Sequence, residues 1–346
     1  MNTLRVMTPR SWFSPSKINN AWVASIILFG LIAAFTPEQF LPSITFVFDA
    51  VIGILPFLMF AVAFAAYAGG SGADNLIAKV FSGHILLMVP LAALFGAFSP
   101  FCSCGVIPLI AALLSIGVPL APVMAFWLAS PIMDPTMFVI TAGELGTSFA
   151  LAKTAAAIGM GLLGGFGTLA LSSMPLLANP LREGIGNGGC GGTRVREYKT
   201  VNWTFWNDKE RRFKFVTEAR KSGLFLLKWL VLAYLLESLM LANVPPNWIA
   251  QAAGDGSVLS IFIASLVGVP AYLNGFAAVP LVAGLIENGM AQGAGMAFLV
   301  AGGVTSLPAA IAVFALARLP IFALYITFSL AGAMAVGLLY QYWAAL

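Results

Sequence analysis

Apolar residues fill the chain in long runs that short polar breaks interrupt, and the runs lack the alternation expected of barrel strands. They therefore read as helices. Measured against about 30 Å of hydrocarbon, eleven runs emerge. Six come first: Ala21–Phe35, Leu41–Ala68, His84–Phe98, Gly105–Gly117, Pro119–Ala142 and Ser148–Ser172. Five follow a polar stretch: Gly223–Ala242, Val258–Val269, Phe276–Glu287, Ala294–Ala317 and Leu319–Trp343. The pattern predicts an all-α polytopic membrane protein of about 11 transmembrane helices (range 8–11). Composition agrees: 60% of the 346 residues are apolar and 9% charged, with a mean hydropathy of +0.95, where soluble domains carry about 25% charged residues.

Charge placement then orients the chain. Ten of the seventeen Lys and Arg lie between Arg182 and Lys221. With the basic N-terminus (Arg5, Arg10, Lys17) in the cytoplasm, six crossings return the chain there for this basic loop. The turns carrying Lys79 and Arg318 then also fall inside, and Lys153 alone sits near the outer face. A fourth run that turned back by itself would flip the parity, so that short run is read as crossing, as a broken helix after Pro100 and Gly105. The first run has no small-residue cleavage site, and a bacterial plasma (inner) membrane location is expected. The expected divisions are a cytoplasmic N-terminus (1–20), a first span (21–40), a membrane repeat (41–172), the basic loop (173–222) and a second repeat (223–346).

The repeat is an alignment without gaps at an offset of 172: Gly96 with Gly268, Pro108 with Pro280 and Gly117 with Gly289. Met124-Ala125-Phe126 matches Met296-Ala297-Phe298. An odd number of spans per unit, five, makes the two units inverted. One N-terminal span plus two inverted five-span repeats is an architecture of secondary transporters, whose sites lie near the midplane at broken helices. Breaks recur in pairs: "SPFCSCG" (Ser99–Gly105) with "AYLNGFA" (Ala271–Ala277), and "ASPIMDP" (Ala129–Pro135) with "AGGVTSLP" (Ala301–Pro308). Cys102 aligns with Asn274. The plain alternative is that these are packing kinks.

"PFCSCGVIPL", followed about twenty positions on by "LASPIMDPTMF", resembles the ArsP-type predicted permeases, the broad YraQ-like permease family. The likeness covers most of the membrane part, including the duplicated half and a loop element, "GGCGGT". It implies efflux of trivalent organoarsenicals such as methylarsenite and aromatic arsenicals.

The candidate site residues carry chemistry of their own. Thiolates are soft ligands for thiophilic centres, and residues two apart in extended chain face one side. Cys102 and Cys104, flanking Ser103, could then reach one metalloid ligand; in a helix they would diverge by about 200°. The knuckle also precedes a helix N-terminus, which lowers thiol pKa. The competing reading is packing by a small hydrophobe. Cys190, in the Gly-rich loop, is a possible accessory thiol or a dispensable exposed one. Intramembrane acids are costly and usually functional. Asp134, between Pro131 and Pro135 with Ser130 nearby, is expected to bind substrate or couple to an ion, and Glu237 is a second possible coupling group. Asn274, Thr305 and Ser306 supply neutral polar groups, with capping or interhelical bonding as the alternative. His84, the one histidine, leaves no His-based metal or triad chemistry. "WNDKERRFKF" (Trp206–Phe215) reads as a short amphipathic helix on the inner leaflet or as a solvated loop.

Two function classes follow. The first is a secondary-active permease exporting a thiol-reactive small molecule; no Walker-type loop is present, so coupling falls to protons or the membrane potential. The second is a membrane thiol-disulfide oxidoreductase, against which stand the Cys-x-Cys spacing and the absence of a second pair. A permease for an unrelated solute is a third option. No enzyme activity, cofactor, resident metal or nucleic-acid partner is expected; the partners are membrane lipid and a small-molecule substrate, and oligomeric state stays open.

Overall fold

The structure is a computed structural model and describes residues 20–71, 84–99, 103, 105–115, 117–174, 177, 179–182, 202–243, 254–272 and 275–344. The first half contains α1 (Asn20–Phe35), α2 (Pro37–Ser71), α3 (Ile85–Ala97), α4 (Val106–Ser115), α5 (Leu120–Ala129), α6 (Pro135–Glu144) and α7 (Thr147–Ala170). The second contains α8 (Lys209–Asn243), α9 (Val258–Ala271), α10 (Gly275–Glu287), α11 (Gln292–Thr305), α12 (Leu307–Leu316) and α13 (Leu319–Ala344). Every apolar run is helical, and the protein is an all-α polytopic membrane protein. The runs Pro119–Ala142 and Ala294–Ala317 are each two helices, divided at Ser130–Asp134 and at Ser306.

The two halves keep one spacing. α2 and α8 are both 35 residues long and start at Pro37 and Lys209, 172 positions apart. The same offset relates α5 to α11 and α6 to α12 at their first residues. Packing repeats as well. α3 packs on α5 and α7, and α9 on α11 and α13. A Cβ on Gly96 would stand 2.9 Å from the Phe126 carbonyl oxygen, and one on Gly268 would stand 2.6 Å from that of Phe298. Gly165 meets Val89, Ala121 and Ala125, while Gly337 meets Ile261, Gly293 and Ala297, each the residue 172 further on. Such small-residue contacts let backbones close together, the main source of helix adhesion where lipid removes the hydrophobic drive. The turns repeat too: Gly117 and Gly289 hold φ of 86° and 104°, a left-handed conformation that glycine adopts without a Cβ clash.

Depth follows from these contacts. α3 and α4 have 13 and 10 residues, hence about 20 and 15 Å of helix, less than the bilayer's hydrocarbon. The end of α3, at Gly96, lies against Phe126 and Ala129, where α5 also ends and the Leu120–Glu144 run breaks. α3 and α5 therefore run side by side in one direction and stop at one level, with α7 antiparallel to both.

α8 starts well inside the stretch expected to be a basic loop. Lys209–Ser222 continues directly into the apolar span, so the aromatic and basic residues there cap a long helix. Phe205, Trp206 and Phe215 cluster with Tyr67 at its foot, and the Arg211 side chain donates to the Ser71 carbonyl at 2.8 Å. Ser43 and Ser238 share a hydrogen bond of 2.9 Å near the opposite ends, so α2 and α8 are antiparallel. Of the loop, residues 180–182 are held against the α12–α13 turn by Arg182 N–H to Leu316 O and Arg318 N–H to Pro180 O, both 3.0 Å.

α5 and α11 form the core and are buried on nearly every face, as helices that are apolar all round should be. Outward-facing Ile26, Phe48, Phe95 and Leu339 are each more than 60% exposed, an apolar surface suited to lipid.

Candidate functional site

Proline and polar residues set up each break locally. Pro135 occupies the first position of α6, where its missing N–H costs nothing. Asp134 caps that helix: its Oδ1 accepts from the Thr136 and Met137 amides at 2.8 and 2.9 Å. At the corresponding point of the other half, Ser306 precedes Leu307-Pro308 at the start of α12. Its hydroxyl makes no capping bond and is free to reach another helix.

It reaches the first break. Ser306 Oγ and Ser103 Oγ lie 3.3 Å apart, joining segments more than 200 residues apart in sequence. Ser99, at the end of α3, shares a 2.9 Å hydrogen bond with Ser130, at the end of α5, and donates to the Gly96 carbonyl at 2.8 Å. Gly303 brings α11 against Pro131 and the Tyr272 hydroxyl; a Cβ there would stand 3.2 Å from the Pro131 carbonyl oxygen. Gly275, opening α10, abuts Met137 in the first turn of α6. All four breaks therefore meet. Around them Thr305 donates to the Ala301 carbonyl at 2.8 Å and lies 3.3 Å from Ser329. Tyr325 donates to the Val304 carbonyl and packs on Trp127 with ring centroids 5.1 Å apart.

Four half-length helices, α4, α6, α10 and α12, begin at this junction. Their N-termini present the positive end of the helix dipole, and at α6 two of the terminal amides are held by Asp134 Oδ1. The meeting of the breaks thus creates a polar, electropositive spot among otherwise apolar helices.

Among the described residues, two charged side chains are fully buried. Lys153, on α7, is 0% exposed and its Nζ has no hydrogen-bond partner among the described residues. It lies on the α7 face that continues through Ala157 and Gly161 to Gly165, the face packed on α3 and α5. Moving along α7 from Gly165 beside Ala121, through Gly161 beside Ala129, two more turns bring Lys153 level with the Ser130–Asp134 break. Asp134 is close enough to act on it electrostatically. Glu237, on α8, is likewise 0% exposed with both oxygens unpartnered among the described residues. α8 packs on α1, α2, α9 and α12.

Of the residues singled out in the sequence, Ser103, Ser130, Asp134 and Ser306 belong to the junction of the breaks, and Thr305 lies beside it. Glu237 is deep in α8, and no hydrogen bond ties it to the junction among the described residues. Cys102, Cys104, Asn274 and Cys190 lie outside the described residues. No group of three His, Cys, Asp or Glu able to hold a metal ion occurs among the described residues. Sequence reasoning missed Lys153, Ser99 and Tyr272. Lys153 had a signal: it was the one base out of place in the inside-positive pattern.

Comparison with known proteins identifies a family. The ArsP_1 family, described as a predicted permease, matches residues 39–342. UPF0718 protein MJ0584 of Methanocaldococcus jannaschii is 22% identical over 280 residues, covering 68% of this chain and 77% of that protein. UPF0718 protein YcgR of Bacillus subtilis is 33% identical over 90 residues, 26% of this chain and 31% of that protein. No solved structure matches. With the family match running through both halves and every break, the chain belongs to the ArsP_1 family of predicted permeases.

Proposed function

We propose that the chain is a secondary-active permease that exports a thiol-reactive small molecule, with trivalent organoarsenicals as the leading substrate class, through the junction of its four breaks. The observation that carries this reading is the meeting of Ser99 with Ser130 and of Ser103 with Ser306. The first contact joins the two breaks of one half and the second ties that half to the other, the arrangement in which transporters bind at mid-membrane.

The halves act as inverted repeats. In each, the two short helices before the full-length broken span (α3 and α4, then α9 and α10) form a hairpin that enters and leaves from one face. Taken as a pair, they leave the parity of the chain unchanged. The basic N-terminus and basic loop thus stay in the cytoplasm of a bacterial inner membrane. Sequence reasoning treated only the fourth run as a possible turn-back, and the parity objection disappears once the third run turns with it. The first hairpin then opens to the cytoplasm and the second to the outside, so rocking one half against the other exposes the junction to each face in turn.

Cys102 and Cys104 flank Ser103 in the sequence, and Ser103 reaches the junction through Ser306; in this reading both thiols take part in binding there. Each thiol condenses with one As–OH of a methylarsonous acid, forming an As–S bond and releasing one water; hydrolysis on the other side returns thiol and substrate. Asp134 and Glu237 are the candidate coupling groups, and Cys190 is a possible docking thiol on the cytoplasmic side. The test is accumulation of labelled methylarsenite in everted vesicles bearing the wild type, Cys102→Ser or Cys104→Ser. The expected result is loss of most accumulation in both variants. Unchanged accumulation in both removes the thiols from the mechanism.

A further inference from the structure

Lys153 is the feature that the proposed function leaves unused. An ammonium buried inside a membrane protein without a hydrogen-bond partner costs several kcal/mol, and intramembrane charges mark substrate or ion sites. Its counterpart in the second half, 172 positions on, is Tyr325, a neutral residue whose hydroxyl is satisfied by the Val304 carbonyl. Packing at this position therefore does not require a cation. The first half carries one beside its break, with its Nζ unpartnered among the described residues.

The charge adds to a field of the same sign. The N-termini of α4, α6, α10 and α12 meet at the junction, and no acidic residue stands in the first turn of any of them. α4, α6 and α12 are each 10 residues long and α10 is 13, long enough to carry a helix dipole. The nearby acid, Asp134, is a single carboxylate whose Oδ1 is already held by two α6 amides. Half-helix N-termini in transporters point at anionic groups of the substrate.

We infer that the transported molecule carries a negative charge and that Lys153 is its counter-ion at the junction of the breaks. The inference rests on the permease reading and refines the substrate class: an organic anion, thiophilic if the cysteines also bind it. The anionic group sits where the four N-termini converge, and Lys153 neutralises what those partial charges leave.

The experiment measures ligand-induced thermal stabilisation of the purified full chain in detergent. The probes are phenylarsine oxide, its 4-carboxy analogue and benzoate. The wild type should bind the 4-carboxy analogue roughly tenfold more tightly than phenylarsine oxide, the scale of one charge-assisted contact. That advantage, and any stabilisation by benzoate, should vanish in Lys153→Met and persist in Lys153→Arg. Gel filtration establishes that both variants fold; Lys153→Met removes a buried charge and should not melt lower than the wild type.

Equal affinity for the two arsenicals, with no effect of benzoate, overturns the inference. So does an advantage for the carboxylate that survives in Lys153→Met. Cys102→Ser and Cys104→Ser separate the two readings. Arsenical binding that ignores these cysteines defeats the thiol reading, while Lys153-dependent binding of benzoate still supports the anion site.

Discussion

Asp134 performs two tasks that a pair of substitutions separates. Its Oδ1 caps α6, which an asparagine also does, and its charge acts on Lys153. Asp134→Asn should keep the cap, whereas Asp134→Ala should lose about 0.5–2 kcal/mol of stability. If the charge takes part in transport, both variants stop substrate accumulation although only the alanine variant melts lower. If accumulation fails in the alanine variant alone, Asp134 is only a cap. Glu237 allows a different test, because both its oxygens are buried without partners among the described residues. Relieving that burial with Glu237→Gln should leave melting unchanged or raise it, while transport loses its response to an imposed proton gradient. A lower melting temperature would mean that the carboxylate holds the fold together and is not a coupling group. Glu237 was legible as an intramembrane acid, whereas the burial of Lys153 could not be read from sequence. A charge near the end of an apolar run looks wet until the helices packed around it are known.

Elements set the close approaches that hold each half together. Gly96 and Gly268 each meet the backbone carbonyl of the matching phenylalanine, so a larger side chain at either position must push two helices apart. Gly96→Val and Gly268→Val should each cost about 1–3 kcal/mol, the range for overpacking a tight interior, read as a fall in melting temperature. Gly159→Ala is the control, since nothing lies within 4 Å of a Cβ there; it should be neutral or slightly stabilising. Equal behaviour of all three would contradict the packing described. The breaks were legible because Pro and Gly punctuate helices through local chemistry. That α3 and α4 are half-length was not. Depth is a relation between elements, and it emerged only when Gly96 was found beside Ala129. The true start of α8 was hidden too, because basic and aromatic residues suit a helix end as well as a loop.

Across the whole molecule, the repeat was legible in Gly96, Pro108, Gly117 and their partners, which must match because backbone geometry requires them. α2 and α8 coincide from end to end, yet their side chains gave no alignment. Lipid accepts any apolar residue, so such positions drift freely while the helix persists. Transport by this molecule requires that the junction of the breaks open to each face of the membrane in turn. Ser306, which bonds to Ser103 across the two halves and is 4% exposed, is the position to test it. In a chain with Cys102, Cys104 and Cys190 changed to serine, Ser306→Cys is treated with a membrane-impermeant methanethiosulfonate in right-side-out and in everted vesicles. Slow labelling from both faces is expected. Labelling from one face only, or from neither, would contradict it.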